Sequence, residues 1–102
     1  MNEKKKYLSL YMLQHARIER LVGMLETGTG NQAECLAGIR KANELRNEIE
    51  RKIKEVDGGV LSELLYLKYV CGKPLLEISF ILNYSVRHTE RLHKKALEKL
   101  EL

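Results

Sequence analysis

Cationic side chains are concentrated in one short segment near the end of the chain. Arg87, His88, Arg91 and His93 follow an apolar stretch that stops at Asn83. Residues four positions apart lie on one face of a helix, and an arginine can form two hydrogen bonds to the O6 and N7 atoms of a guanine base. The chemistry that this spacing favours is recognition of base edges in a DNA duplex.

Two sets of residues are the candidates for contact with DNA. The set predicted to read base edges consists of Val86, Arg87, His88, Glu90 and Arg91. The set predicted to bind phosphates consists of Lys73, Ser85, Lys94 and Lys95. Glu90 would either accept a hydrogen bond from a cytosine amino group or orient an arginine. His88 would read a base, bind a phosphate or lie idle, and a solvated cationic face without a ligand is the alternative for the whole segment.

The distribution of charge also indicates that residues 85–95 are the candidate DNA-binding segment. The 102 residues include 18 Lys and Arg against 14 Asp and Glu, which gives a net charge of +4 and a pI of about 9.1. Residues 85–95 contain four Lys or Arg and one Glu, so +3 of that total lies on one short segment. Because a nucleic acid is a polyanion, this local excess matters more than the modest total.

Two short helices must position these side chains. Residues 75–82 are predicted to form an apolar helix after Pro74, and residues 86–100 form the helix that carries the cationic residues. Asn83 tolerates the positive φ of a tight turn, and Ser85 can cap the second helix. The inner face of that helix is predicted to hold Thr89, Leu92, Ala96 and Leu100. This layout is a helix-turn-helix, in which one helix braces and the next presents its first turns to the major groove.

The first half of the chain is also predicted to be helical, so the expected fold class is all-α. Residues 4–26 and 33–56 each carry one apolar stripe at 3-4 spacing, and a short glycine-rich loop joins them. Two such helices form an antiparallel hairpin of coiled-coil type. A hairpin alone leaves apolar surface uncovered. It must pack on the rest of the chain or on another copy, and we favour self-association.

Asp57-Gly58-Gly59 marks the boundary between the two halves, because adjacent glycines end a helix and permit a change of direction. We expect residues 1–57 to be a helical hairpin for oligomerisation. Residues 58–102 are expected to be a three-helix DNA-binding module, whose first helix stops at Gly72.

Composition excludes several other classes of protein. With 44% hydrophobic and 31% charged residues the chain is typical of an ordered soluble domain, and no apolar run approaches the roughly 18 residues that span a bilayer. We expect a cytoplasmic protein that does not bind membranes, with Cys35 and Cys71 as buried free thiols. No catalytic constellation, metal site or cofactor motif is recognisable, so we do not expect an enzyme.

The segment LLYLKYVCGKPLLEISFILNYSVRHTERLHKKALEKL, residues 64–100, resembles the fourth region of bacterial sigma-70-type sigma factors. The matching pieces are Leu67-Lys68-Tyr69, Gly72, Leu76-Glu77-Ile78-Ser79, Tyr84-Ser85 and Lys95-Ala96-Leu97-Glu98-Lys99-Leu100. The resemblance extends to short phage and prophage proteins, some of them transcriptional regulators, in which a helical N-terminal half precedes this module. Over residues 1–57 it rests on length and helical pattern alone.

The chain departs from the sigma-factor pattern in the bracing helix, where Ser79 stands in place of the usual alanine, and at two further places. Pro74 replaces the usual capping Ser or Thr, and the reading positions differ from the Arg-Glu-Arg run of primary sigma factors. We therefore do not expect recognition of a standard promoter element. The polymerase-binding clamp of a sigma factor also has no counterpart here, so we do not expect the chain to act alone as one.

The resemblance and the cationic helix together predict sequence-specific binding of double-stranded DNA by a phage- or prophage-type transcriptional regulator. Residues 86–100 would be the recognition helix in the major groove. The expected partners are double-stranded DNA and a second copy of the chain, with a dimer favoured, and RNA polymerase is a further candidate. Two alternatives stay open: a small terminase-like DNA-packaging recognition protein, and a sigma-like protein-interaction module without DNA binding.

Overall fold

Two long helices joined by a short loop make up the first half of the chain. In a computed structural model, which describes residues 2–102, α1 spans Asn2–Thr27 and α2 spans Gln32–Lys54. The side chain of Asn31 starts α2 by accepting a hydrogen bond from the backbone amide of Glu34 at 3.1 Å. Both glycines of the loop have positive φ, a conformation that glycine adopts without steric cost.

The helices α1 and α2 lie antiparallel. At one end of the pair, the hydroxyl of Tyr7 donates a hydrogen bond to Glu48 Oε2 at 2.9 Å. Nearer the loop, Leu21 of α1 packs against Gly38 of α2, where an added Cβ would lie only 2.8 Å from Leu21 Cδ1. The hairpin therefore closes tightly near its loop because a residue without a side chain occupies position 38.

The second half of the chain consists of three shorter helical segments. α3, Gly59–Leu65, passes directly into one π-helical turn, Tyr66–Val70, and α4 and α5 span Leu75–Leu82 and Val86–Lys99. Because residues 2–102 contain no strand, the predicted all-α fold class is confirmed. In the same residues, no helix is both long enough and apolar enough to cross a membrane.

One apolar core joins the hairpin to the C-terminal helices. Leu8 of α1 and Ile49 of α2 are buried in the same cluster as Leu65 of α3 and Leu97 of α5. The other buried members are Tyr11, Ile53, Val56, Leu61, Tyr69, Ala96 and Leu100. The hairpin thus covers part of its apolar surface by packing on the rest of the chain, the first of the two solutions that its sequence allowed.

The structure corrects the expectation that both cysteines are buried. Cys35 is buried in α2, but Cys71 is exposed. The backbone amide of Cys71 donates to the carbonyl of Tyr66 at 3.1 Å and ends the π-helical turn, and Gly72 follows with a φ of 72°. Where the chain reverses in this way, the Cys71 side chain is left on the outside.

Candidate nucleic-acid interface

The turn between α4 and α5 is built by two residues. Asn83 has φ 60° and ψ 44°, the left-handed conformation in which asparagine is among the better tolerated side chains. The Oγ atom of Ser85 accepts a hydrogen bond from the backbone amide of His88 at 3.1 Å and caps α5. Both local predictions from the sequence are confirmed.

One side of α5 is held in the interior. Its buried residues are Thr89, His93, Ala96 and Leu97. Thr89 Oγ1 donates to the backbone carbonyl of Ser85 at 2.9 Å, so this polar side chain is satisfied inside the protein. Packing against α3, α4 and the hairpin therefore sets the rotation of α5 about its axis, and that rotation decides which residues face outward.

The candidate base-reading residues lie on the outward side of α5. Val86, Arg87, Glu90 and Arg91 are exposed. His88 is half-buried, and its ring meets the ring of Tyr84 edge-on with centroids 4.8 Å apart. Among residues 2–102, neither guanidinium has a hydrogen-bond or salt-bridge partner, and Glu90 pairs with neither of them. Both arginines are thus available to an external ligand.

The candidate phosphate-binding residues divide into two groups. Ser85, Lys94 and Lys95 are exposed on or next to α5. Lys73 is half-buried at the start of α4, and its ammonium pairs with Glu77 Oε1 at 3.2 Å. That neighbouring carboxylate offsets the charge of Lys73, so we expect the lysine to attract phosphate less than the two lysines of α5 do.

His93 does not belong to the cationic face that the sequence suggested. Its side chain is buried, and Nε2 lies 2.8 Å from the hydroxyl of Tyr69 in the π-helical turn. Burial, with smaller contributions from the charges of Lys68 and Lys5, lowers the pKa of His93 to about 4, so the ring is neutral at pH 7. Burial also raises the pKa of Tyr69 to about 12. His93 is a structural residue.

A groove of about 400 Å³ beside α5 brings distant basic residues together. Lys5 of α1 borders it from one side, and Glu90, His93 and Lys94 of α5 border it from the other. Sequence reasoning missed Lys5, because no local spacing relates the start of α1 to α5. Only the packing of the hairpin on α5 places them side by side.

Three of the six apolar side chains of α4 are exposed. Only Ile78 and Ser79 are buried in this helix. Phe80 is 76% exposed, Leu76 56% and Ile81 50%. Eight residues of nearly uniform apolarity cannot all face one neighbour, because successive side chains of a helix point about 100° apart. We refer to Leu76, Phe80 and Ile81 as the α4 patch.

Comparisons of the chain with protein-family models, with curated proteins and with solved structures find no match.

Proposed function

We propose that the protein binds double-stranded DNA sequence-specifically through its helix-turn-helix, with α5 in the major groove. The observation that carries this proposal is the outward position of Arg87 and Arg91, whose guanidiniums are unengaged within residues 2–102. They lie in the first half of a helix whose opposite face is anchored in the core. A rigid support for exposed arginines is what base recognition needs, since disorder would oppose a bidentate contact.

The spacing of the two arginines suits base pairs about two steps apart. Four residues of helix advance about 6 Å along the axis, which is a little less than two base-pair steps of about 3.4 Å each. Arg87 and Arg91 can therefore address base pairs about two steps apart from one side of α5. Val86 and Glu90 each directly precede one of these arginines in the sequence. Val86 can contact a thymine methyl group, and Glu90 can accept a hydrogen bond from a cytosine amino group.

The charge at the far end of α5 supports the same orientation. A shallow pocket near the end of this helix is bordered by four acidic and two basic side chains: Glu55, Asp57, Glu98, Glu101, Lys52 and Lys99. Phosphates would be repelled from this acidic end and attracted to the start of α5. The helix should therefore approach DNA with its N-terminal half, the direction typical of a helix-turn-helix.

The role in transcription comes from the resemblance to sigma region 4 and to short phage regulators. We propose a phage- or prophage-type transcriptional regulator that acts as a dimer. One helix-turn-helix buries little surface on DNA, and two linked copies increase the effective affinity. Exposed apolar residues on the hairpin, among them Leu13 and Leu36, provide surface for association. Light scattering coupled to size-exclusion chromatography tests this point, and a monomer at micromolar concentration would contradict it.

The experiment that tests DNA binding is selection of bound duplexes from a random pool, followed by affinity measurements on the enriched site. The double variant Arg87→Ala, Arg91→Ala should bind the enriched duplex about tenfold more weakly or worse, because each bidentate contact provides about 1–3 kcal/mol of binding free energy. The double variant Arg20→Ala, Arg40→Ala is the matched control, since it removes the same charge from exposed positions on the hairpin. Equal affinity of the two variants would remove the assignment of α5, and failure to enrich any duplex would remove the proposal.

The α4 patch favours a second candidate, a sigma-like module that binds a protein. Three large apolar side chains exposed on one short helix are typical of a protein contact. RNA polymerase is the partner to test, by surface binding of the purified bacterial core enzyme. The variant Phe80→Ser should abolish this binding and leave duplex affinity unchanged, whereas the Arg87, Arg91 double variant should do the reverse. If neither the wild-type protein nor either variant binds core enzyme, this candidate is excluded.

A further inference from the structure

The basic surface of α5 continues onto the hairpin. Arg87, Arg91 and Lys94 are spaced by four and three residues, so they form one row along the helix. At the end of that row Lys94 borders the groove described above, and Lys5 of α1 borders the same groove from the hairpin. The row of cations therefore has a fourth member that belongs to another helix.

A third lysine lies close to this groove. Lys68 lies in the π-helical turn, with its ammonium 5.7 Å from the centre of the Tyr69 ring. The hydroxyl of Tyr69 is hydrogen-bonded to His93, which borders the groove. His93 is neutral at pH 7 and adds no charge. Two lysines thus border the groove and a third lies near it, against the single bordering carboxylate of Glu90, so the groove should attract an anion.

The position of Lys5 relative to α5 is held by its neighbour in sequence. Lys4 Nζ donates hydrogen bonds to the backbone carbonyls of Leu97 at 2.9 Å and Glu98 at 3.3 Å. These carbonyls belong to the last turn of α5, where a cation is favoured by the helix dipole. Because Lys4 ties α1 to α5, the backbone at Lys5 is already held beside α5 when a ligand arrives.

We propose that the groove between Lys5 and Lys94 binds a backbone phosphate of the same duplex whose major groove receives the start of α5. This inference rests on the proposed function and adds the hairpin to the DNA-binding surface. From Arg87 to Lys94 the helix advances about 10 Å, and the major groove is about 12 Å wide. A helix with Arg87 at the bases therefore brings Lys94 and Lys5 to the phosphates that border the groove.

The test is the salt dependence of duplex affinity for Lys5→Gln, with Lys6→Gln as matched control. Lys6 is an exposed lysine on the same turn of α1 that does not border this groove, although both lysines border a second surface with Ser9, Leu10 and Leu13. One lost phosphate contact lowers the slope of log affinity against log salt by about 0.9. Between 50 and 200 mM salt the affinity of the wild-type protein should therefore fall about 3.5-fold more than that of Lys5→Gln. Lys5→Arg should keep the wild-type slope, and selected and scrambled duplexes should show the same change.

The outcomes separate this inference from the proposed function. If the wild-type protein binds a selected duplex but Lys5→Gln and Lys6→Gln have the same slope, the hairpin contact is wrong and DNA binding by α5 stands. Binding to poly-glutamate is measured in parallel. If the wild-type protein binds poly-glutamate, and Lys5→Gln loses that binding but keeps the wild-type salt dependence on duplex DNA, the groove serves an acidic protein segment and the phosphate assignment is wrong. If the wild-type protein binds no duplex, both proposals fall together.

Discussion

The hydroxyl of Tyr69 and Nε2 of His93 lie 2.8 Å apart in the interior, and this hydrogen bond joins the π-helical turn to α5. Both side chains are almost fully buried. A buried polar group without a partner costs about 1–3 kcal/mol, so each residue makes the burial of the other possible. His93 also borders the groove between Lys5 and Lys94, so the hydrogen bond that supports α5 reaches its candidate binding surface.

Removal of the Tyr69 hydroxyl should destabilise the protein. In Tyr69→Phe the ring still fills its place, but His93 loses its hydrogen-bond partner. We expect a decrease of about 1–3 kcal/mol in the free energy of unfolding, measured by urea denaturation. Tyr84→Phe is the control, since Tyr84 is exposed at the turn and should change stability by less than about 0.5 kcal/mol. Equal effects of the two variants would contradict a structural role for the bond.

The burial of His93 should make stability depend on pH in acid. Its pKa is about 4 in the folded protein, against 6.5 for an ordinary histidine, so between these values the unfolded chain binds the additional proton. Stability contributed by neutral His93 is complete above pH 6.5 and decreases as the pH falls toward 4, with a slope of at most about 1.4 kcal/mol per pH unit. In His93→Gln this part of the dependence should vanish in urea titrations. An unchanged slope would show that the ring is not held neutral.

The left-handed conformation of Asn83 should restrict what this position accepts. Asn83→Val should lower the free energy of unfolding by about 1–2 kcal/mol, because a β-branched side chain collides with the backbone at positive φ. Asn83→Gly should be tolerated or slightly stabilising. Thermal melting of the two variants checks the prediction, and equal melting temperatures would contradict it.

Ser85 should show two separable roles. Ser85→Ala removes the cap of α5 and should lower stability by about 1 kcal/mol. Ser85→Asp keeps the cap and favours the helix dipole, so its thermal stability should match that of the wild-type protein. Its carboxylate should nevertheless weaken binding to every duplex, because it lies where a phosphate is expected. Wild-type affinity in Ser85→Asp would remove Ser85 from the phosphate-binding set.

The contact of Lys4 with the end of α5 should stabilise the docking of the hairpin. Lys4→Met removes the donor to the carbonyls of Leu97 and Glu98. We expect the free energy of unfolding to decrease by about 1 kcal/mol. Hydrogen exchange in the last turn of α5 should be faster, whereas Lys6→Met should change neither quantity. Equal exchange in both variants would show that α5 is held by apolar contacts alone.

The sequence by itself determined the helices, the turn and the charged segment, because these depend on neighbours along the chain. The positive φ at Asn83, the cap at Ser85 and the bounds of α4 follow from local conformational preference, and they were predicted correctly. The outward position of Arg87 and Arg91 also followed, since the apolar residues of α5 define the opposite face.

The tertiary structure decided which side chains meet across the chain. His93 looked like one more cation beside Arg91, but packing places it against Tyr69, where burial keeps it neutral. The exposure of the α4 patch depends on how few neighbours this short helix has, and the nearness of Lys5 to Lys94 depends on the docking of α1 on α5. Helical periodicity specifies the face of a residue on its own helix, but the neighbour of that face is set by the packing of the whole core.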